Sequence, residues 1–256
     1  MSGPYAYEGQ VDCSVAVDRT QCKGKSVVVT GGAQGIGEAY VRGFVSAGAF
    51  VTFCDINEEQ GRKLADELGP EHVCFVKADT RSWEDQTRMF EAAVTKSPYR
   101  SVDIVIANAG VGRGSGDPMM ALEDPNTIPT KPSMHIIDIN LIGVMYSLKL
   151  AIHYFRRSPS SEDRDRLYIR TVIQSQEVYE SIRAKGLDFA TTESCLAAVM
   201  RIACDKRING HSFAIVPESV AKEGFIDLDE DDFEDQASYL FKFQNDVVKL
   251  RGDAWT

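Results

Sequence analysis

Apolar and polar positions along the first 157 residues follow two alternating patterns. Short continuous apolar runs are typical of strands covered on both faces of a parallel sheet, and apolar residues at three- to four-residue intervals are typical of helices. These patterns predict strands at 26–30, 49–55, 72–77 and 102–108, and helices at 35–47, 58–68, 83–95 and 133–157. The alternating order predicts an α/β fold with a doubly wound parallel sheet and right-handed crossovers.

The pattern is less regular after residue 157. A polar stretch at 158–166 leads into an apolar segment at 167–173, and helices are predicted near 176–185 and 193–205, before a final strand at 211–216. A length of 256 residues suits one domain. We therefore predict a single domain over 1–256, with an N-terminal arm at 1–25 and an acidic C-terminal tail at 218–256.

A glycine-rich turn at residues 30–37 joins the first predicted strand to the first predicted helix. Backbone N–H groups at a helix start face a bound anion, and glycines let the chain approach it closely. The strand–turn–helix context supports the assignment of a phosphate cradle. We expect its cofactor contacts to come from Gly31, Gln34, Gly35, Ile36 and Gly37.

The second and third predicted strands end in polar residues. Asp55, with Ile56 beside it, follows the glycine turn by about 20 residues, the spacing of a carboxylate that binds an adenosine ribose and repels a 2′-phosphate. NAD is therefore favoured over NADP. Asp79 and Thr80 end the third strand, where a side chain meets the adenine or simply forms a turn.

Two asparagines mark the middle of the chain. Asn108, Ala109 and Gly110 end the fourth strand, at the crevice where ligands bind in open α/β sheets, and small residues there would let a cofactor lie against the backbone. Asn140 interrupts an otherwise apolar helical surface. A buried Asn needs hydrogen-bond partners, so this residue is either a helix-bending structural residue or part of a proton relay.

Bulk composition excludes several classes of partner. The net charge of −10 leaves no basic surplus for nucleic acid, and the acidic run at 227–235 is expected to be solvated rather than metal-binding.

Six cysteines without a CxxC pair indicate a reduced, cytoplasmic compartment. No export signal and no apolar run of membrane-spanning length is visible. The four histidines have no metal-ligand spacing, so we expect no metal.

Together, these motifs resemble the short-chain dehydrogenase/reductase family, and in particular its fungal, hydroxyprostaglandin-dehydrogenase-like members. The resemblance covers about residues 26–157 and rests on the glycine turn, Asp55, Asp79, Asn108-Ala-Gly110 and Asn140. It implies a Rossmann-type fold, NAD binding, interconversion of a secondary alcohol and a ketone, a catalytic role for Asn140, and a homo-oligomer contact through the long helix. One departure is Ala107, where the family often has a second Asn.

The family's reaction also needs a Tyr, a Lys four residues later and a Ser, and this chain lacks that set. None of its nine tyrosines precedes a Lys by four residues, and only Tyr179 has a cation there, Arg183. The segment Tyr168 to Thr171 resembles the one after the family's sixth strand, where a Thr contacts the nicotinamide amide. Too few residues separate it from Arg157 to hold two strands and a helix.

We therefore expect a deletion of the fifth strand, the Tyr/Lys helix and the sixth strand. The exposed edge of the fourth strand would then need a new partner, for which the strand at 211–216 is predicted. The functional expectation is an NAD-binding oxidoreductase by ancestry that is weakly active or inactive. Two alternatives stay open: a non-catalytic NAD-binding scaffold or dimer partner, and an incomplete gene model of an active dehydrogenase acting on a small alcohol or ketone.

Overall fold

The computed structural model describes residues 10–112, 123–157, 166–171, 190–205, 208 and 211–228. Several predicted features lie outside these described residues. They are the helix near 176–185 with Tyr179, most of the polar stretch before Leu167, the middle of the loop after Gly112, and the acidic run beyond Leu228.

The centre of the fold is a parallel sheet of five strands in the order β3-β2-β1-β4-β5. The strands are β1 (Ser26–Thr30), β2 (Phe50–Asp55), β3 (Val73–Lys77), β4 (Ile104–Ala107) and β5 (Leu167–Arg170). Every residue of β1, β2 and β4 is buried, as expected for a sheet covered on both faces. The prediction of a doubly wound parallel sheet is confirmed.

Within the described residues, the helices that accompany the sheet are α1 (Gly35–Ser46), α2 (Glu58–Leu68), α3 (Trp83–Lys96), α4 (His135–Arg157) and α5 (Thr192–Ala203). The predicted caps form, because Asn57 accepts a hydrogen bond from the Gln60 N–H at 3.2 Å and Ser82 accepts one from the Asp85 N–H at 3.1 Å. Helix α4 contains a wider π-helical segment, Asp138–Gly143. The predicted helix boundaries differ from these by at most two residues.

Alternate residues along the strands pack into two separate hydrophobic cores, one on each face of the sheet. On one face, Val27 and Val29 of β1 pack in a cluster with α1 and α5 residues such as Phe44 and Met200. On the other face, Val28 packs with α3 and α4, including Phe90 and Leu150. The period of two in the strands therefore places α1 and α5 on one side of the sheet and α3 and α4 on the other.

The partner of the β4 edge differs from the sequence prediction. β5 pairs with β4 in parallel, from Leu167 opposite Ile104 to Arg170 opposite Ala107. The strand expected there is instead β6 (Phe213–Ile215), which pairs antiparallel with β7 (Phe225–Asp227) in a separate two-stranded sheet. The predicted pairing is wrong because α4 returns the chain to the β4 edge, so the next strand occupies it by a parallel crossover.

The start of the predicted acidic tail is also structured. Asp227 is 3% exposed, accepts a hydrogen bond from the Val11 N–H at 2.8 Å, and pairs with His211 at 2.9 Å. Phe225 is buried beside it and stacks on Phe213 at 5.5 Å. The acidic run thus begins at a buried carboxylate that joins the N-terminal arm to the β6–β7 hairpin, and the prediction of a fully solvated run is wrong at this residue.

Helix α4 is strongly two-sided. Within the described ranges it is the helix whose length and composition would allow it to cross a membrane, with a mean hydropathy of 1.4 over an 18-residue window that is only 22% buried. By that measure, the prediction of no membrane-length apolar stretch is wrong. One side, with Leu150, Ala151 and Tyr154, is buried against the sheet and α3. The other side exposes a stripe of apolar residues: Met134, Ile137, Leu141, Met145, Leu148 and Ile152.

Candidate functional site

The glycine turn is held in a shape that needs its glycines. Gly31 and Gly35 have φ angles of +64° and +58°, in the left-handed region that side chains disfavour. A Cβ on Gly31 would lie 2.9 Å from Ala109 Cα, and a Cβ on Gly37 would collide with the Gly31 carbonyl oxygen. The turn therefore brings the start of α1 against the end of β4.

The N-terminus of α1 lacks a side-chain cap and can therefore accept an anion. Its N-cap residue, Gln34, makes no side-chain capping hydrogen bond, whereas α2, α3 and α5 are capped by Asn57, Ser82 and Thr191. Gln34 is exposed, and Ile36 is half-buried against the core. The first N–H groups of α1 are thus available to a phosphate at the positive end of the helix dipole.

Asn108 fastens the end of β4 to the glycine turn. Its side-chain amide donates to the carbonyls of Thr30 at 3.0 Å and Gly31 at 2.9 Å. The Thr30 hydroxyl in turn accepts from the backbone N–H groups of Asn108 and Ala109, both at 3.0 Å. This network keeps the cradle and the crevice beside Gly110 in one rigid unit.

Asp55 ends β2 directly beside the glycine turn. Its carboxylate accepts hydrogen bonds from the backbone N–H groups of Ala33 at 3.1 Å and Asn57 at 3.0 Å. The side chain is buried at 8% exposure, and the neighbouring Ile56 is 70% exposed at the strand end. The carboxylate therefore places a fixed negative charge at the sheet edge, where the sequence predicted the ribose contact.

Asp79 and Thr80 lie at the end of β3 and form a turn. Asp79 binds the Arg81 side chain at 2.6 Å, and this hydrogen bond lowers the pKa of the Asp79 carboxyl. The carbonyl of the buried Thr80 accepts a hydrogen bond at 2.6 Å from the amide of Gln86, which also donates to the Gly143 carbonyl at 2.8 Å. The Asp79 carboxylate also accepts a hydrogen bond from the Arg81 N–H at 2.9 Å, which forms the predicted turn; its adenine contact stays a prediction.

Asn140 lies inside the π-helical segment of α4 and faces the loop after β4. Its side chain makes two hydrogen bonds with the backbone of Val111, accepting from the N–H at 2.9 Å and donating to the carbonyl at 2.8 Å. A π-helical segment shifts side chains off the regular helical surface and often occurs at functional sites. The guanidinium of Arg170 donates to the Asn140 carbonyl at 3.3 Å.

Strand β5 adds two hydroxyl groups near the crevice. The Thr171 hydroxyl donates to the Asn108 side-chain oxygen at 3.2 Å, so this residue does lie at the predicted site. The phenol of Tyr168 donates to the Val144 carbonyl at 3.0 Å and lies 2.9 Å from the Ser147 hydroxyl. Burial raises the pKa of Tyr168 above its ordinary value, so this phenol holds its proton firmly.

A shallow cleft, with no enclosed space for a ligand, lies at the carboxyl ends of β1 and β4. Its lining, which combines backbone, hydroxyl and small apolar groups, is Thr30, Thr80, Ala107, Ala109, Ile139, Gly143, Val144 and Ser147. In open α/β sheets this end of the strands, where the strand order reverses between β1 and β4, is the usual ligand position. No group of three or more His, Cys, Asp or Glu residues that could hold a metal occurs within the described ranges.

Sequence reasoning missed three contributors to this site. Thr30 is the hydroxyl that orders the β4 end, Gln86 bridges α3 to α4, and Arg170 reaches the backbone of Asn140. A buried Gln in an otherwise apolar helix face was a usable signal for Gln86, since such a group must find partners. Arg170 gave no such signal, because its role depends on β5 lying beside β4.

The chain is similar to known dehydrogenases. A family model described as short chain dehydrogenase matches residues 25–162. The 5′-hydroxyaverantin dehydrogenase of Dothistroma septosporum is 31% identical over 284 residues, covering 86% of this chain and 91% of that enzyme. Mouse L-fucose dehydrogenase is 33% identical over 180 residues, covering 68% of this chain, which spans only 60% of that enzyme's length.

A solved structure supports the fold. The 3-ketoacyl-(acyl-carrier-protein) reductase from Brucella melitensis, complexed with NADH, superposes with a TM-score of 0.50 at 22% identity, covering 71% of this chain and 72% of the reductase. This similarity concerns the fold alone, whereas the family match and the fungal relative concern sequence. Together with the glycine turn, Asp55 and Asn108, they show that the chain belongs to the short-chain dehydrogenase family of oxidoreductases.

Proposed function

We propose that the chain binds NAD at the glycine turn and has little or no dehydrogenase activity. The cofactor's pyrophosphate would lie at the uncapped start of α1, above Gly35 and Gly37, and its nicotinamide end would lie over the carboxyl end of β4, next to Gly110. The fit is supported by two features of the fold: the first N–H groups of α1 lack a side-chain cap, and side chains at Gly31 or Gly37 would fill the space that the turn needs. NAD itself supplies the hydride acceptor.

The preference for NAD over NADP rests on Asp55. Its buried carboxylate is fixed by two backbone N–H groups, so it cannot easily turn away from a ribose placed at the end of β2. A 2′-phosphate at that position would meet a fixed negative charge, and like charges in a partly buried site are costly. The names of similar proteins include an NADP-dependent dehydrogenase, so this preference is a property proposed for this chain alone.

We infer low activity from the path of the chain, which returns from α4 directly to the β4 edge. Residues 158–166 alone separate α4 from β5. The phenol of Tyr168 is hydrogen-bonded to Val144 and Ser147, which line the cleft, and its pKa is raised. A proton-transfer Tyr needs a neighbouring cation that lowers its pKa toward working pH, so Tyr168 has the opposite character.

The comparison with the fungal relative supports a deletion. The alignment extends over 284 residues, which is longer than the 256-residue chain, so part of the relative has no counterpart in this chain. The relatives' names describe oxidation of hydroxyl compounds, and we propose a small secondary alcohol or ketone as the substrate class if any turnover survives. A non-catalytic NAD-binding scaffold remains the second function, favoured by the intact cradle and the absence of a Tyr-x-x-x-Lys sequence.

We also propose a cytoplasmic homo-oligomer in which the exposed stripe of α4 packs on the same stripe of a second copy. The stripe repeats at intervals of three and four residues, the spacing of a helix–helix seam. Asp138 lies in its N-terminal half, and Lys149 and Arg156 lie in its C-terminal half. An antiparallel pair would therefore place opposite charges together, and a parallel pair would not.

Two measurements test the proposal. Calorimetric titration of the purified chain with NAD and NADP tests binding, and a hydride-transfer assay with secondary alcohols tests turnover. Binding without turnover supports the proposal, and turnover at rates typical of enzymes, on the order of 1 s⁻¹ or more, overturns it. Sequencing the transcript tests the incomplete gene model, because an additional segment after residue 157 that contains Tyr-x-x-x-Lys would show that the full protein is an active dehydrogenase.

A further inference from the structure

Two cysteine thiols that are distant in sequence meet where the N-terminal arm contacts the end of α5. Cys22 ends the short 3₁₀ helix Arg19–Cys22 in the N-terminal arm, and Cys204 follows directly after α5. Their sulfur atoms lie 3.5 Å apart although 182 positions separate them in sequence. Because a disulfide bond is about 2.05 Å long, the sulfurs need to approach by only about 1.5 Å to bond.

The surroundings allow that approach. Cys22 is fully buried, but the residues around it, Arg19, Thr20, Gln21 and Lys23, are exposed. Cys204 is half-buried and lies past the last turn of α5. A small oxidant can therefore reach Cys204 from solvent, and the short turn that carries Cys22 has little packed structure to displace.

The two thiols differ in acidity in the direction that such a reaction needs. The pKa of Cys204 is lowered, chiefly by its hydrogen bond with the Cys22 thiol. The positive charges of Lys25 and Arg19 also lower it, whereas burial and Asp18 act against them. The pKa of Cys22 is raised by its hydrogen bond with Cys204 and by burial. Thiolate character is what makes a cysteine react with an oxidant, so Cys204 is the attacking group and Cys22 the resolving one.

We propose that Cys22 and Cys204 form a reversible disulfide when the protein meets a hydroperoxide. The Cys204 thiolate attacks one oxygen of hydrogen peroxide, the O–O bond breaks, and hydroxide leaves. The hydroxide becomes water by taking up the proton that the Cys204 thiol had released, and Cys204 is left as a sulfenic acid. Cys22 then gives up its proton and attacks the Cys204 sulfur, the S–O bond breaks, and a second water leaves. The two thiols supply two electrons, and hydrogen peroxide is reduced to two waters.

The bond would tie the N-terminal arm to the layer that supports the glycine turn. Helix α5 packs across α1, with Leu196 over Gly43 and Met200 in the core beside Phe44. A disulfide that closes so long a loop restricts the unfolded chain strongly. We expect oxidation to raise the melting temperature by roughly 5–10 °C.

The experiment uses the purified full chain treated with hydrogen peroxide, then alkylated under denaturing conditions and measured by intact mass and peptide mapping. The expected result is loss of two alkylation sites, a cross-linked peptide pair that contains Cys22 and Cys204, reversal by dithiothreitol, and the rise in melting temperature. Cys204→Ser should abolish the cross-link. Cys74→Ser, which removes a half-buried thiol of β3, is the matched control and should keep it.

The peptide map of the unmutated chain decides the matter even if Cys22→Ser or Cys204→Ser folds poorly. A map in which both cysteines stay alkylated after peroxide treatment would overturn the proposal. A map in which Cys204 reaches sulfinic or sulfonic acid without the cross-link would overturn it as well.

Discussion

Replacing Gly37 by Ala tests whether the glycine turn is the cofactor cradle. The added Cβ would collide with the Gly31 carbonyl oxygen and lie 2.6 Å from the Asn108 amide nitrogen. That nitrogen donates to the same carbonyl at 2.9 Å, so the methyl group displaces a buried hydrogen bond. The turn must move away from β4 to accept it.

The decrease in the free energy of unfolding of Gly37→Ala has two contributions. The Asn108 amide keeps its hydrogen bond to the Thr30 carbonyl, so the loss of its bond to Gly31 costs about 0.5–1.5 kcal/mol. An overpacked methyl group costs about 1–3 kcal/mol more. A central value of about 3 kcal/mol would lower the melting temperature of a chain of this size by roughly 6–12 °C. Displacement of the turn should also weaken NAD binding at least tenfold, about 1.4 kcal/mol.

The assays are thermal unfolding and calorimetric titration with NAD. Ser46→Ala is the matched control, since Ser46 is exposed at the other end of the same helix, and it should leave both quantities unchanged. The reasoning is refuted if Gly37→Ala melts with the wild-type chain and binds NAD with the wild-type dissociation constant.

Asp55→Asn keeps the size of the side chain but removes its charge, so we expect the ratio of the NADP to the NAD dissociation constant to fall about tenfold. The control Asp66→Asn, at an exposed position, should leave this ratio unchanged. An unaltered ratio in Asp55→Asn would contradict the ribose assignment. Tyr168→Phe should cost about 1 kcal/mol by urea unfolding at neutral pH and leave NAD binding intact. The pKa of Tyr168 is raised in the folded state, so its contribution to the free energy of unfolding is full below the unfolded pKa of about 10 and is lost as the pH rises through the folded pKa. The difference in free energy of unfolding between wild type and variant should therefore shrink in alkali. A difference that grows in alkali would refute this. Met145→Glu places a charge in the exposed stripe of α4, at a residue that is 57% exposed, and should convert the homo-oligomer to monomers, as measured by light scattering. Lys63→Glu, at an exposed position of α2, is the control and should keep the oligomer. Equal masses for the wild type and both variants would rule out this interface.

The parts of the fold that sequence could predict depend on local patterns. The four first strands, α1 to α4 and the glycine turn follow from apolar periodicity, caps and left-handed glycines, all of which act between near neighbours. Asp55 and Asn108 could be placed at the site because the carboxyl ends of parallel strands meet at one edge of the sheet. Local rules therefore sufficed for the half of the site that would hold the cofactor.

The rest depends on contacts between distant segments. The choice between β5 and β6 as the partner of β4 is decided by where α4 delivers the chain, which periodicity does not describe. The burial of Asp227 similarly depends on Val11 and His211, more than 200 and 16 positions away respectively. Arg170 reaches Asn140 only after β5 has taken its place. In each case a short polar or apolar pattern was compatible with several tertiary environments.

The most direct test of the central claim measures binding and turnover on one preparation of the full chain. The protein is titrated with NAD by calorimetry, and the same sample is then assayed for NADH formation with a panel of secondary alcohols. We predict saturable NAD binding, weakened by Gly37→Ala, with no NADH formation above that of the alcohol and cofactor alone. Steady NADH formation that depends on the protein and is lost in Gly37→Ala would contradict the account, because the chain would then possess a proton-transfer group that its sequence and fold do not provide.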